Sequence, residues 1–404
     1  MKLGEKLKSD IFYLDILGLH IVVLNSAQAA TELLEKRSAK FSDRTLPISL
    51  AHPDFMLPYN DIWRFHRRVL NGLLNIKTVV KFHANQEHQA RLLIQRLLDL
   101  TDHSRPFEGV KEELFYTMAV SMFEMAFGYP VQGKNDSFLR EAEQAFHNGF
   151  RAAMFANFYV NIFPALMYVP EWFPGAGWKR TLRKWRAEKI RAMSGPYEWV
   201  KARLASILLS ASATALLNFV AAMALYPDVQ EKAQRELDMV LGSGVMPTIG
   251  GRDRLPYINN VVLEVLRWRP VLPTAIPHVC YEDDVYRGYN FVKGDIIFGN
   301  VWYAFIVWVV AITQNSRIRA MSRDKSIHTN PDEFDPDRFL DPNVPPLPGF
   351  GWGRRKCPGS HYGESSIFIV LSSILAVYNI SKQKDSSGRE VQPEIKDVSN
   401  SLTL

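Results

Sequence analysis

Cysteine is scarce in this 404-residue chain, where only Cys280 and Cys357 occur. Two thiols with no C-x-x-C pair exclude a disulfide framework and a zinc site, and they imply an intracellular, reducing setting. A secretory leader is also missing, because residues 1–10 are charged and carry no apolar core. No early stretch has the roughly twenty apolar residues that a membrane-spanning helix needs. Lysine and arginine (48) outnumber the acids (42) for a net charge of +6, yet they form no block interleaved with aromatics. Nucleic acid is therefore not an expected partner. The positive excess reads mostly as solvated surface, with docking to an acidic redox partner or anionic lipid as the other reading. Internal repeats and low-complexity tracts are absent too.

What is present is an ordinary globular composition, 47% hydrophobic and 22% charged. The length suits one large enzyme body or about two or three average domains. Residues 12–25 read as a short strand pair, and 27–37 as a helix capped by Ser26. A helix over 62–74 is capped by Asp61, and mostly helical sequence follows to about residue 150. Residues 155–178 are aromatic, proline-rich and irregular, and 179–191 form a basic helix. An apolar helix spans 204–226 and stops at Pro227; amphipathic helices follow at 228–240 and 255–268. Strands lie within 276–301, with turns at Arg287-Gly288 and Lys293-Gly294, and 332–348 is a proline-rich loop. The sum is one mainly α body over 1–404 with a small β region.

The most informative stretch is 350–359, Phe-Gly-Trp-Gly-Arg-Arg-Lys-Cys-Pro-Gly, followed at 360–380 by an apolar segment that reads as a buried helix. A thiol at that helix start, beside Arg354, Arg355 and Lys356, is expected to be pushed toward thiolate, the metal-binding form. The glycines let backbone approach a flat ligand, and the arginines can pair with carboxylates. A lone cysteine is more often a small packed hydrophobe, but the spacing Phe350, Gly353, Arg355, Cys357, Gly359 resembles the haem-binding signature of the cytochrome P450 family. Glu264 and Arg267, three apart on one helix face, taken alone read as a surface ion pair. With Arg338, in Phe334-Asp335-Pro336-Asp337-Arg338-Phe339, they resemble the family's buried Glu–Arg–Arg triad, in the family's order along the chain.

The resemblance covers about 12–380 and is closest to fungal, basidiomycete-like members. It implies the cytochrome P450 fold and a haem-thiolate monooxygenase. The implied cofactor is haem b (iron protoporphyrin IX), with Cys357 as its iron ligand. One atom of dioxygen would enter a small apolar substrate, with electrons from NADPH through a flavoprotein reductase. Phe350 and the loop amides would shield and hydrogen-bond the sulfur, and Gly353 and Gly359 would belong to the cofactor-binding loop. Arg67, His278 and Arg355 would neutralise the propionates, with Trp63 beside Arg67 in the family's Trp-x-x-x-Arg. Glu264, Arg267 and Arg338 would hold the scaffold. Each of the weaker matches has a plainer reading: a buried anchor for Trp63, a solvated face for Arg67 and a satisfied core histidine for His278. The family also implies the endoplasmic reticulum membrane; residues 155–178 could rest on a membrane or pack into the core.

Four departures from the family pattern stand out. The chain starts at the first strand pair, without the usual anchor. The distal-helix segment that normally carries an acid–alcohol pair falls at 206–212, where neither an acid nor a threonine stands, and residues upstream of it are missing. Ser210 or Ser212 could hold water there, or serve as small packing residues. Residues 303–319 have no family counterpart and read as an insert, with a retained intron as its origin. The C-terminal hairpin is shortened. These departures make a catalytically impaired haem-binding relative from a defective gene model the alternative to an active enzyme, and a cofactor-free interaction protein the least favoured reading.

Overall fold

The computed structural model describes residues 9–16, 18–44, 57–101, 106–153, 158–161, 163–192, 199–272, 275–300, 321–385 and 387–393. Two strands open the chain, β1 (Ile11–Ile16) and β2 (Leu19–Leu24), paired antiparallel from Ile11 opposite Leu24 to Ile16 opposite Leu19. Ser26 caps the following helix, α1 (Ala27–Ala30), by accepting from the Ala29 amide at 3.1 Å. The chain continues through wider π-type turns over Thr31–Lys36, so the single helix read over 27–37 changes its pitch midway.

The helices that frame the site follow. They are α2 (Asp61–Leu74), α3 (His83–Leu98), α4 (Pro106–Phe127), α5 (Ser137–Ala153), α6 (Gly177–Ala192) and α7 (Trp199–Leu225). Next come α8 (Pro227–Leu241) and α9 (Pro256–Trp268), each with proline in its first turn, where a missing amide is harmless. Helix α2 is capped by Asn60, which accepts from the Trp63 amide at 3.0 Å, and not by Asp61 as read from sequence. Asn60 has the extended backbone that a cap requires, while Asp61 is already helical. Between α5 and α6 the described residues form only short 3-10 turns, Tyr159–Asn161 and Pro164–Tyr168, in keeping with the irregular reading of that stretch.

Among the described residues, four short strands complete the β region: β3 (His278–Val279), β4 (Asp284–Tyr286), β5 (Tyr289–Phe291) and β6 (Ile296–Gly299). The main sheet runs β1-β2-β6-β3, with β6 parallel to β2 and antiparallel to β3. A separate hairpin joins β4 to β5 through Arg287 and Gly288, both with positive φ. The sheet buries both faces. Ile11, Val22 and Leu24 join one apolar cluster, and Phe12, Ile21 and Val23 join another.

Helix α10 (Ser360–Val377) is the centre of the helical core, packed against α3, α7, α8 and α9. Its composition would suffice to cross a membrane, yet most of it is buried in the protein. Ala, Ser and Gly let neighbours approach it closely, while Phe368, Leu371 and Leu375 fill the space among Leu93, Phe219, Val261 and Val265. The large cluster of buried residues is thus helical, and a smaller one ties the sheet to the loop before α10.

Candidate active site

The loop 350–359 is fixed at both ends. Trp352 is buried in the sheet cluster with Leu24, Leu34, Phe41 and Ile297. Its ring lies over Gly299, where a Cβ would stand 2.7 Å from the indole. Gly353 has φ +53°, and a Cβ there would collide with the Leu34 carbonyl, so glycine alone fits. The Lys356 amide donates to the Gly353 carbonyl (3.1 Å) and the Cys357 amide to the Phe350 carbonyl (2.8 Å), which curls the loop back beneath the phenyl ring. That ring lies 3.4 Å from where a Cβ of Gly363 would be, one turn into α10. Cys357 is thereby held partly buried just before the first residues of α10.

The thiol departs from the sequence expectation. Burial pushes the Cys357 thiol up, against the opposing pull of the Gly359 amide, Arg67 and Lys356. The two arginines nearest in sequence are aimed elsewhere. Arg354 reaches the Tyr59 hydroxyl, and Arg355 turns to the carbonyls of Ser42 (2.7 Å) and Leu57 (2.8 Å). In the protein alone, desolvation outweighs the cations; a bound metal ion would displace the thiol proton directly.

Beside the loop lies a cluster of basic side chains, with Arg44 and His278 buried and Arg67 and Arg355 partly exposed. Arg355 stacks 4.3 Å over the Trp63 ring, and its Nη1 is buried with no partner among the described residues. Burial brings this guanidinium down to about 9, with Asp43 opposing the shift and Arg67 adding to it. Arg44, 7% exposed, donates to the carbonyls of Ile276 (2.8 Å) and Pro277 and has its Nε buried without a partner among the described residues. Burial and the neighbouring Arg355 hold it well below its usual range. His278, 2% exposed, bonds through Nδ1 to the Phe41 carbonyl at 2.7 Å. Asp43 is the nearby acid, and its Oδ1 accepts from the amides of Arg44 (2.9 Å) and Tyr59 (2.7 Å). Arg67, on α2, donates to the Lys356 carbonyl and so touches the cysteine loop itself.

Buried guanidinium nitrogens without acceptors are expensive unless an anion meets them. The pocket fits a ligand that brings carboxylates, and Cys357 beside it offers one soft ligand. Among the described residues, no group of three or more His, Cys, Asp or Glu side chains could hold a bare metal ion. An iron bound through a single thiolate must bring its other ligands with it, and a haem supplies these together with two propionates. The donor set therefore fits a haem.

Arg44 was missed from the sequence. Its segment carries no spacing that marks it, and only the fold brings it against Arg355 and Ile276.

The three residues of the expected triad do meet. Glu264 and Arg267 are fully buried and form a two-pronged pair, with Nε to Oε2 at 2.6 Å and Nη2 to Oε1 at 2.7 Å. Arg338 Nε reaches Oε1 at 3.1 Å, and the Asp335 amide adds a bond at 2.8 Å. Arg267 also donates to the carbonyls of Ser322 (2.7 Å) and Pro331 (2.9 Å), and Arg338 to Thr329 (2.8 Å). The triad thus pins 322–338, the stretch leading to the cysteine loop, onto α9.

On the opposite helix, Ser212 of α7 is buried, with its Oγ 3.9 Å from where a Gly363 Cβ would be. That places it against α10 in a packing position. The side chain of Ser210 lies outside the described residues, as does the whole of 303–319. The described ends of that stretch are joined, because the Met321 amide donates to the Asn300 carbonyl at 3.1 Å.

The sequence matches the family model "Cytochrome P450" over residues 1–187, 210–305 and 315–400. A cytochrome P450 monooxygenase of Armillaria gallica is 32% identical, with 96% of this chain aligned to 81% of that protein. One from Postia placenta is 33% identical, over 97% of this chain and 79% of its own length. In three dimensions the chain is similar to a zebrafish cytochrome P450 solved with progesterone. The TM-score is 0.70 over 96% of this chain and 94% of that one, at 20% sequence identity, a likeness of fold.

Proposed function

The chain belongs to the cytochrome P450 family of haem-thiolate monooxygenases, and from that premise we propose that it inserts one atom of dioxygen into a small apolar organic substrate. Haem b is the proposed cofactor, and NADPH the proposed electron source through a flavoprotein reductase. The observation that carries this reading is the cluster of arginines near the cysteine loop, in which Arg44 and Arg355 each keep a buried guanidinium nitrogen with no acceptor among the described residues. When bound, the haem would supply the iron at which dioxygen is activated. The chain's own residues do the rest. Cys357 would hold the iron, with the Phe350 ring packed against the start of α10 at Gly363. Arg44, Arg67, His278 and Arg355 would receive the propionates, and Trp63 supports Arg355. Glu264, Arg267 and Arg338 keep the preceding segment in place and touch no substrate.

A second reading, a haem binder that does not turn over, is favoured by one observation. The family match omits 188–209, which includes the first part of α7, and Ser212 beyond it faces α10. Two measurements separate these readings. The chain loaded with haem, reduced and exposed to carbon monoxide should give a red-shifted, thiolate-type Soret band. NADPH consumption with a reductase, matched by product, then marks an enzyme; the band without product marks the binder.

We also propose that 303–319 is an insert, supported by the bond between the nearest described residues on either side, Asn300 and Met321, and by the gap in the family match over 306–314; transcripts spliced without it would mark it as a retained intron. A setting at the endoplasmic reticulum membrane is proposed as well. It is supported by exposed Tyr159, Met167, Tyr168 and Trp172 next to the basic helix α6. Flotation with anionic vesicles, lost on replacing Tyr168 and Trp172 by serine, tests the contact.

A further inference from the structure

We propose that His278 takes up a proton when the carboxylates of the cofactor enter its pocket, so that cofactor binding and protonation of this ring are one linked event. The inference rests on the haem reading of the same pocket. Its starting point is a tautomer. Nδ1 of His278 lies 2.7 Å from the Phe41 carbonyl, which can only accept, so Nδ1 carries the hydrogen. A neutral ring then presents Nε2 as a bare lone pair. Nε2 has no hydrogen-bond partner among the described residues, and the ring is 2% exposed.

The charges around the ring come from each element packed on it. The segment after Phe41 brings Arg44, which is bonded to the carbonyls of Ile276 and Pro277 just before His278. The cysteine loop brings Arg355. Asp43 is turned to the amides of Arg44 and Tyr59. Across the strand, β6 pairs Ile297 with His278, and its neighbouring Asp295 is engaged by the Val292 amide (2.8 Å) and by His20 (3.3 Å). Cations therefore dominate. Burial first, then Arg44, hold the ring well below its ordinary range against the opposing pull of the Phe41 bond, with Arg355 adding a smaller push in the same direction as Arg44. At neutral pH His278 is uncharged.

Two carboxylates entering this pocket reverse the local sign. A carboxylate oxygen facing the Nε2 lone pair is repelled, whereas one proton from solvent turns the same contact into a charge-assisted hydrogen bond. Arg44 and Arg355, once paired, also cease to oppose the charge. The ring's pKa thus rises on binding. Its contribution to affinity is fully present below the free-state pKa, and it is lost as pH climbs through the occupied-state pKa. Between those limits the His278 contribution weakens the dissociation constant about tenfold per pH unit.

The test counts protons. The full chain is titrated with ferric haem near neutral pH, by calorimetry in buffers of different ionisation enthalpy, for the wild type and for His278→Gln. Glutamine offers an N–H near the Nε2 position but does not titrate. Any proton released from Cys357 is common to both proteins. The wild type should take up about one proton more than the variant. The ratio of wild-type to variant dissociation constants should rise about tenfold per pH unit from neutrality up to the occupied-state pKa and level off beyond it. Equal proton counts with a constant ratio would overturn the proposal. If His278→Gln binds no haem, His278→Arg, permanently charged, serves for the same comparison. The carbon monoxide spectrum of each reduced complex is recorded alongside. A wild type without the thiolate band would refute the haem reading itself, which unequal or equal proton counts do not touch.

Discussion

Replacing Glu264 with glutamine keeps the shape of the side chain and removes the charge shared by Arg267 and Arg338. The carboxylate is fully buried and accepts four bonds: Arg267 Nε (2.6 Å) and Nη2 (2.7 Å), Arg338 Nε (3.1 Å) and the Asp335 amide (2.8 Å). A glutamine oxygen can keep those at one end. Its NH2 group must then face a guanidinium N–H, donor against donor, with two buried cations left unbalanced. Removing one partner of a buried pair costs about 3–5 kcal/mol. The backbone carbonyls that Arg267 also serves, Ser322 and Pro331, keep the guanidinium in place and prevent it from escaping to water. Urea unfolding followed by circular dichroism should show a loss in that range for Glu264→Gln. Replacing Glu264, Arg267 and Arg338 together with Leu, Met and Met should lose less than the single change, because no charge is then stranded. A loss under about 1 kcal/mol for Glu264→Gln, the range of an exposed pair, would refute the claim that this triad is a buried electrostatic clamp.

Gly353→Ala combines a left-handed backbone with a collision at the Leu34 carbonyl; a stability loss of about 2–4 kcal/mol is expected in the same unfolding assay, from strain plus overpacking. His328 is buried, lacks a partner at Nδ1 and is lowered to about 4 by burial, Arg267 and Arg338. The unfolded chain therefore binds more protons between about pH 6.5 and 4. Stability should fall by about 3 kcal/mol as pH drops through that window and should stay flatter in His328→Asn, as read from unfolding at stepped pH. Arg355→Lys keeps the charge but loses the paired bonds to Ser42 and Leu57 and the stack on Trp63. Haem transfer to apomyoglobin should then be faster by on the order of tenfold.

The cysteine loop and the triad were legible in the sequence because their spacing reflects side chains that must meet one partner. Gly353 has to pass the Leu34 carbonyl, and Glu264 has to face two guanidiniums. The helix over 255–268 and the strand pair over 12–25 were legible for a simpler reason, since apolar period and turn residues agreed at each. Other features depend on tertiary neighbours. Asn60 and Asp61 are both capable caps, and only the extended backbone at Asn60 decides between them. The widening of the turns after Ala30 has no compositional mark. Arg44 acquires a role only when 41–44 is laid against 276–279 and Arg355. The thiol expectation failed first because burial, which the local sequence does not show, outweighs the neighbouring cations, and second because two of those cations are turned away. Arg354 and Arg355 stand next to Cys357 in the chain but spend their guanidinium groups on Tyr59, Ser42 and Leu57.

The central claim is that Cys357 is the iron ligand of a haem held in the cation pocket. It is tested most directly by the carbon monoxide spectrum of the reduced, haem-loaded chain beside that of Cys357→Ala. The account predicts a red-shifted, thiolate-type Soret band in the wild type and its complete loss in the variant. A band that survives Cys357→Ala, or a wild type that binds haem without one, would contradict it.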